Sequence, residues 1–158
     1  MQENRFLLPF TQGVDSKALH TVLQFSKATN ASIVALALLP LSAQQRPEEV
    51  RLEHIQQARD FLELLTSQAT MHNVSIEHHE CFTHDVPVSI RNMVDQLHCR
   101  TILLCYEEEK VHFLRTCETE QLRAYKQPSI LYVPSQQKAT KNIFHQLKTR
   151  LMAHLAYA

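Results

Sequence analysis

Residues 11–16, TQGVDS, combine residue types that could bind an anion. The hydroxyl residues Thr11 and Ser16 enclose Gln12, Gly13 and Asp15, and an apolar run that predicts a strand comes directly before them. Free N–H groups at the start of the helix predicted to follow could hold a sulfate, a phosphate or another small anion. Asp15 or Ser16 could instead simply cap that helix, because their side chains can accept from its first N–H groups. Both interpretations remain open at this point.

The segment HNVSIEHHECFTH, residues 72–84, contains four of the ten histidines and raises the question of zinc. On a strand, His79 and Cys81 share one face, and His84 in the following turn could join them. A closed structural zinc site needs four ligands, and the chain has no second cluster with ligand spacing. We therefore expect a polar edge strand without metal, with these three residues as weak candidates.

Three consecutive glutamates, residues 107–109, follow the apolar run TILLCY. Carboxylates are favoured in the first turn of a helix, so this segment predicts a solvated helix start. A site for a divalent cation or a basic ligand is the alternative. No GxSxG motif occurs, and Cys99 beside Arg100 is interpreted as a thiol at a helix–strand junction. We expect no enzyme activity.

Composition favours one cytoplasmic domain without a membrane span. The 158 residues balance 16 basic against 16 acidic side chains, so no overall field attracts nucleic acid. The four cysteines lack CxxC spacing and no signal peptide is seen, which fits a reducing compartment. The longest apolar run, residues 33–41, is far shorter than the ~20 residues that span a bilayer. A single glycine, Gly13, argues against a phosphate-wrapping loop, and we expect no cofactor.

Strands and helices alternate along the chain. Continuous apolar runs predict buried strands at 5–10, 32–39, 101–106 and 129–134, and a more alternating run predicts an edge strand at 74–82. Helical spacing predicts helices between them, including one over 110–125 that buries Phe113, Leu114, Cys117 and Leu122. The sequence therefore predicts an α/β domain with an open, doubly wound, five-stranded parallel sheet of Rossmann type in the order 3-2-1-4-5. Ligands bind such sheets at the carboxyl ends of the strands, where Leu39 and Tyr106 are further ligand-binding candidates.

A basic tail follows the last predicted strand. We divide the chain into a domain over residues 1–135 and an amphipathic helical extension over 136–158. Its apolar stripe comprises Ile143, Leu147, Leu151 and Leu155. The stripe could pack on its own domain or on a symmetry mate, or it could bind a protein partner or a membrane surface.

The chain resembles the universal stress protein family over about residues 4–135. The resemblance rests on RFLLPF as first strand, THDVPVSIRNMV as the third turn and helix, and LRAYKQPSILYVP as final helix and strand. It implies a binding or regulatory module in stress response or signalling. It also implies a homodimer that pairs through the last strand, with the interface candidates Ser129, Ile130, Leu131, Tyr132 and Val133.

The sequence departs from the ATP-binding members of that family in two places. Those members carry an acidic residue after the first strand and a Gly-x-x-Gly segment after the fourth, whereas this chain has Phe10 to Gln12 and residues 106–109, YEEE. We therefore expect no ATP binding of the usual kind. One alternative is a cytosolic regulatory domain of a membrane transporter or sensor kinase. Another is a relative of the PP-loop ATP pyrophosphatases, because residues 11–16 also resemble their SGGxDS loop.

Overall fold

The computed structural model describes residues 4–135, 147 and 149–152, in which strands and helices alternate. A short 3-10 helix, Pro47–Glu49, precedes the second α-helix. The elements are β1 (Asn4–Phe10), α1 (Ser16–Ala28), β2 (Ala31–Pro40), α2 (Leu52–His72), β3 (Ile76–Thr83), α3 (Val86–Gln96), β4 (Thr101–Glu107), β5 (Lys110–Val111), α4 (Thr116–Arg123) and β6 (Ser129–Pro134).

Five parallel strands form the sheet in the order β3-β2-β1-β4-β6. This confirms the predicted order 3-2-1-4-5, since β6 is the fifth strand of the prediction. β3 lies at one edge, as its alternating pattern indicated, and four of its eight residues are exposed. The two-residue strand β5, which pairs antiparallel with the end of β4, was not predicted.

The sheet separates two layers of apolar packing. The first layer contains side chains of α1 and α2 with Leu8 and Phe10, and the second places Leu7 and Val34 against α3 and α4. β1 and β2 contribute to both layers, which explains why their sequences are continuous apolar runs. Asp15 caps α1, with its carboxylate accepting the N–H of Ala18 at 2.9 Å. The capping interpretation of Asp15 is thus confirmed.

The prediction was wrong over residues 107–115 and wrong about the burial of Cys117. Glu107 ends β4 and pairs with Lys110 across a tight turn, so the glutamates form a hairpin and not a helix start. Glu108 in that turn has a φ of 56°, a conformation that a helix does not contain. The fourth helix begins only at Thr116, which leaves Cys117 exposed, although Phe113, Leu114 and Leu122 are buried as predicted.

The predicted C-terminal helix falls largely outside the described residues. Of its apolar stripe, Leu151 is buried in the first packing layer and Leu147 packs against the same layer. Both therefore contact their own domain. No helix among the residues that the structure describes is long and apolar enough to cross a membrane.

Candidate functional site

The hairpin after β4 folds over the carboxyl end of β1. Successive residues of a strand direct their backbone groups to opposite sides. The carbonyl of Tyr106 accepts the N–H of Ser135 at 2.7 Å and so faces β6, whereas that of Cys105 accepts the N–H of His112 at 2.8 Å. His112 therefore lies on the other side of β4, which is the side of β1. We call residues 110–115 the crossing segment.

The backbone of the crossing segment is bonded to the loop after β1. The carbonyl of Phe113 accepts the N–H groups of Thr11 at 2.7 Å and Gln12 at 3.1 Å, and the Thr11 hydroxyl approaches it at 3.2 Å. The Arg115 Nε donates to the side-chain oxygen of Gln12 at 3.4 Å. The backbone N–H groups of Thr11 and Gln12, two of the predicted anion-binding residues, are therefore bonded to the chain itself.

The Phe113 ring lies in the first packing layer beneath this loop. Its centroid is 6.0 Å from that of Phe10 and 5.6 Å from that of Phe61, and the residue is 3% exposed. Phe113 has a φ of 74°, which is rare for a bulky residue and persists only where the surroundings impose it. Here the ring packing and the accepting carbonyl impose it.

A buried carboxylate holds the end of the crossing segment. Glu118 is 7% exposed, and its Oε2 accepts from the Thr11 hydroxyl at 2.9 Å and from the N–H of Arg115 at 3.0 Å. The second bond is one half of a capping box at the start of α4. Glu118 thus joins the loop after β1 to the first turn of the last helix.

His112 lies between two carboxylates at the same place. Its Nδ1 is 3.8 Å from Oδ2 of Asp15, and its Nε2 is 3.4 Å from Oε2 of Glu107. Its side chain is 14% exposed. Two carboxylates, those of Asp15 and Glu107, therefore lie beside the crossing segment, whose own charged residues are Lys110 and Arg115.

These contacts fill the position where doubly wound sheets bind ligands. That position is the crevice beyond the carboxyl ends of the two strands at which the strand order reverses, here β1 and β4. The backbone of the crossing segment lies there, bonded to Thr11 and Gln12, with the Phe113 ring packed beneath it and Glu118 just after its end.

The structure brings some of the predicted site residues together. Thr11, Gln12 and Asp15 all contact residues 112–118, while the N–H of Gly13 donates to the side-chain oxygen of Gln57 at 3.4 Å. Ser16 faces α2 instead, where its hydroxyl accepts from Gln68.

Leu39 and Tyr106 lie apart from this group. Leu39 is 3% exposed within the first packing layer. Tyr106 belongs to the second layer, where its ring centroid is 6.5 Å from that of Tyr132. Sequence reasoning missed Phe113 and Glu118 as members of the site, although a glutamate three residues after Arg115 is a readable capping signal.

The histidine-rich strand forms an ion-pair cluster. Nε2 of His79 is 2.6 Å from one carboxylate oxygen of Glu77, and Arg5 donates to the other at 2.7 Å. The hydrogen bond from His79, and then that from Arg5, lower the pKa of Glu77. Cys81 packs against the second layer, and no group of three His, Cys, Asp or Glu residues able to hold a metal occurs within the described part of the chain.

A groove of about 770 Å³ runs along β6. Among the described residues, β6 has a neighbouring strand only on its β4 side. Glu108 and Glu109 line the groove at the hairpin and Lys126 lies just before β6, whereas Arg123 donates to the Tyr132 hydroxyl at 2.9 Å, in the second half of the strand. Its charged lining residues are Glu108, Glu109, Arg123, Lys126 and Arg150.

No family model and no curated protein sequence matches the chain. Solved structures do. A universal stress protein from Archaeoglobus fulgidus in complex with dAMP has a TM-score of 0.60 at 12% identity, covering 84% of this chain and 98% of that one. A protein of the same family from Burkholderia pseudomallei gives 0.60 at 13% identity, over 81% and 95%. One from Arabidopsis thaliana with AMP bound gives 0.53 at 11% identity, over 90% and 98%. The chain therefore has the fold of the universal stress proteins.

Proposed function

We propose that this chain is a homodimeric binding or regulatory module of the universal stress type, which works in the cytoplasm and does not hold or hydrolyse ATP in the usual manner of that family. The observation that carries the proposal is the crossing segment, whose Phe113 carbonyl takes the N–H groups of Thr11 and Gln12. The four unpaired cysteines agree with a reducing compartment.

A nucleotide would have to displace the crossing segment to enter the crevice. Each backbone hydrogen bond contributes about 0.5–1.5 kcal/mol, and burial of the Phe113 side chain about 1.5–3 kcal/mol. The carboxylates of Asp15, Glu107 and Glu118 would then stand near the phosphates and repel them. The crossing segment, which fills the crevice, and the nearby carboxylates should therefore both weaken the binding of a triphosphate.

Calorimetric titration with ATP, AMP and dAMP tests this part of the proposal. We expect no saturable binding up to about 1 mM nucleotide, the weak limit of specific recognition. The Arabidopsis relative that was solved with AMP serves as the positive control in the same buffer. A dissociation constant in the low micromolar range for ATP, with the phosphates located against residues 106–110, would overturn the proposal.

The free edge of β6 is suited to pair with a second copy. Since Ser135 donates to Tyr106, the odd-numbered residues of β6 direct their backbone groups to β4, and Ile130 and Tyr132 direct theirs outward. Pro128 and Pro134 lie three residues on either side of Leu131. An antiparallel pair centred on Leu131 would place Ile130 of one copy opposite Tyr132 of the other, with a proline ending the ladder on each side.

The charges of the groove complement each other under the same two-fold symmetry. Antiparallel pairing brings the carboxyl end of one β6 to the amino end of the other. Glu108 and Glu109 of one copy would therefore approach Lys126 of the other. Such pairs mainly fix orientation and register, and their contribution should fall as salt is added.

A further inference from the structure

Helices α1 and α2 contact each other through two layers of polar side chains, one helical turn apart. In the first layer, Nε2 of Gln68 donates to the Ser16 hydroxyl at 2.8 Å. In the second, Nε2 of His72 lies 2.9 Å from Nδ1 of His20. Both layers use residues four apart on their helices, so the four side chains stand side by side.

The two imidazole rings are not arranged as a straight hydrogen bond requires. A ring nitrogen lies about 1.2 Å from the ring centre, so a straight N–H···N bond of this length would separate the centroids by about 5.2 Å. The observed separation of the His20 and His72 centroids is 4.6 Å, with the rings tilted by 57°. The contact between the two nitrogens is therefore bent at one ring or at both.

The spacing fits two ligands of one metal ion. Imidazole nitrogens that bind an ion at about 2.05 Å, with an angle near 90° between them, lie about 2.9 Å apart. Their ring centres, each about 3.2 Å from that ion, lie about 4.6 Å apart. The distances between His20 and His72 match both values.

A third candidate ligand lies on the same face of α2, four residues before His72. The side-chain oxygen of Gln68 is buried and has no hydrogen-bond partner among the described residues, whereas its nitrogen is held by Ser16. A buried amide oxygen without a partner is costly, and a cation would satisfy it. Gln68 lies one turn before His72, on the side of α2 that faces α1.

We propose that His20, His72 and the side-chain oxygen of Gln68 bind one divalent transition-metal ion between α1 and α2. Imidazole nitrogen suits Ni²⁺, Cu²⁺ and Zn²⁺, and an angle near 90° favours the six-coordinate or tetragonal geometries of the first two. Water molecules complete the coordination. This site is distinct from the weak candidates His79, Cys81 and His84.

The test is a calorimetric titration of the untagged chain with Ni²⁺, and in parallel arms with Cu²⁺ and Zn²⁺. We expect one site per chain in the micromolar range. His20→Ala and His72→Ala should each weaken it by about tenfold or more, since even indirect changes around a metal cost that much. His84→Ala removes an exposed histidine elsewhere and is the matched control. Far-UV circular dichroism verifies that each variant is folded.

Gln68 gives a second, independent readout. Gln68→Glu places a charged oxygen at the same position and should tighten Ni²⁺ binding, while Gln68→Leu should weaken it. In a spectrum of the histidine ring protons, paramagnetic Ni²⁺ should broaden His20 and His72 first. The proposal is overturned if the wild type and both histidine variants bind Ni²⁺ with equal affinity, or if broadening begins at other histidines. Either result would mean that His20 and His72 contact each other without binding the metal.

Discussion

The backbone carbonyl of Phe113 accepts the N–H of Thr11 at 2.7 Å, although the two residues are 102 positions apart in the sequence. This bond joins the loop after the first strand to the crossing segment. The conformations of this loop and of the crossing segment are therefore coupled. A substitution in one of them should change the stability of the other.

Removal of the Glu118 carboxylate should destabilise the fold. Glu118→Ala removes the acceptor of the Arg115 N–H and the nearer of the two acceptors of the Thr11 hydroxyl, which we expect to cost about 1–3 kcal/mol. Glu120→Ala, at an exposed position of the same helix, should change the free energy of unfolding by less than about 0.5 kcal/mol. Urea denaturation of both variants measures the difference, and equal values would contradict the bridging role of Glu118.

The two residues with positive φ in this region should respond to glycine in opposite ways. Glu108 is exposed with a φ of 56°, so Glu108→Gly should stabilise the protein by about 0.5–1 kcal/mol. Phe113→Gly also relieves the backbone but removes a buried ring, so it should destabilise by about 3 kcal/mol or more. Thermal unfolding of the pair separates the two effects, and a stabilising Phe113→Gly would show that the ring contributes little.

A proline placed on the outward side of β6 should break the proposed dimer and spare the sheet. Ile130 directs its N–H away from β4, so Ile130→Pro removes a donor only from the free edge. Leu131→Lys should also weaken the dimer, although Leu131 contacts the first packing layer as well. Met71→Lys, at a residue 81% exposed on α2, is the control. Sedimentation velocity should show monomers for the β6 variants alone, and an unchanged dimer would exclude this interface.

The Glu77 cluster should make stability depend on pH in the acid range. The hydrogen bond from His79, followed by that from Arg5, holds the pKa of Glu77 below its ordinary value of 4.5. A carboxylate with a lowered folded pKa stabilises the protein above its unfolded pKa, and this contribution is lost as the pH falls through the folded value. Glu77→Gln should therefore lower the urea midpoint near pH 6, and the difference from wild type should shrink toward pH 3.

The exposed carboxylate of Glu80 on the same strand provides the comparison for that measurement. Glu80 lies on the opposite face from Glu77, away from Arg5 and His79. Glu80→Gln should leave the pH profile of the urea midpoint unchanged. If the urea midpoints of Glu77→Gln and the wild type differ by the same amount at pH 6 and pH 3, Glu77 is not the source of the pH dependence.

The four cysteines should react with thiol reagents at very different rates. Burial raises the pKa of Cys105 to about 12 and also raises that of Cys99, so few thiolates form at these positions. Cys117 is exposed and Cys81 is half-buried. We expect Cys117 to account for the fast phase of labelling, which Cys117→Ser should abolish. Labelling of Cys105 in the native protein at the same rate would contradict its burial.

The sheet could be predicted because the pattern of apolar residues within each strand indicates how the strand is buried. β1 and β2 are continuous apolar runs that only a sheet covered on both faces accommodates, and the alternation in β3 marked an edge. The capping position of Asp15 was likewise local. Such features depend on neighbouring residues, so spacing and residue type suffice to find them.

The crossing segment was not predictable because distant contacts determine it. Residues 107–117 contain glutamates, a lysine and apolar residues at spacings that suit a helix, and the tight turn has neither glycine nor asparagine. The bonds from Thr11 and Gln12 and the packing on Phe10 and Phe61 are contacts with distant parts of the chain, and they help to hold it as a hairpin and a loop. Tertiary packing overrides local propensity there.

The crossing segment also sets a quantitative limit on any molecule that enters the crevice. It is a tethered competitor, and its local concentration does not fall when the protein is diluted. If the segment were displaced in about one molecule of a hundred, the apparent dissociation constant of an entering molecule would be about a hundredfold weaker than its intrinsic value. Substitutions that destabilise residues 110–115 would increase the fraction of molecules in which the segment is displaced. They would therefore strengthen apparent binding without contacting the entering molecule.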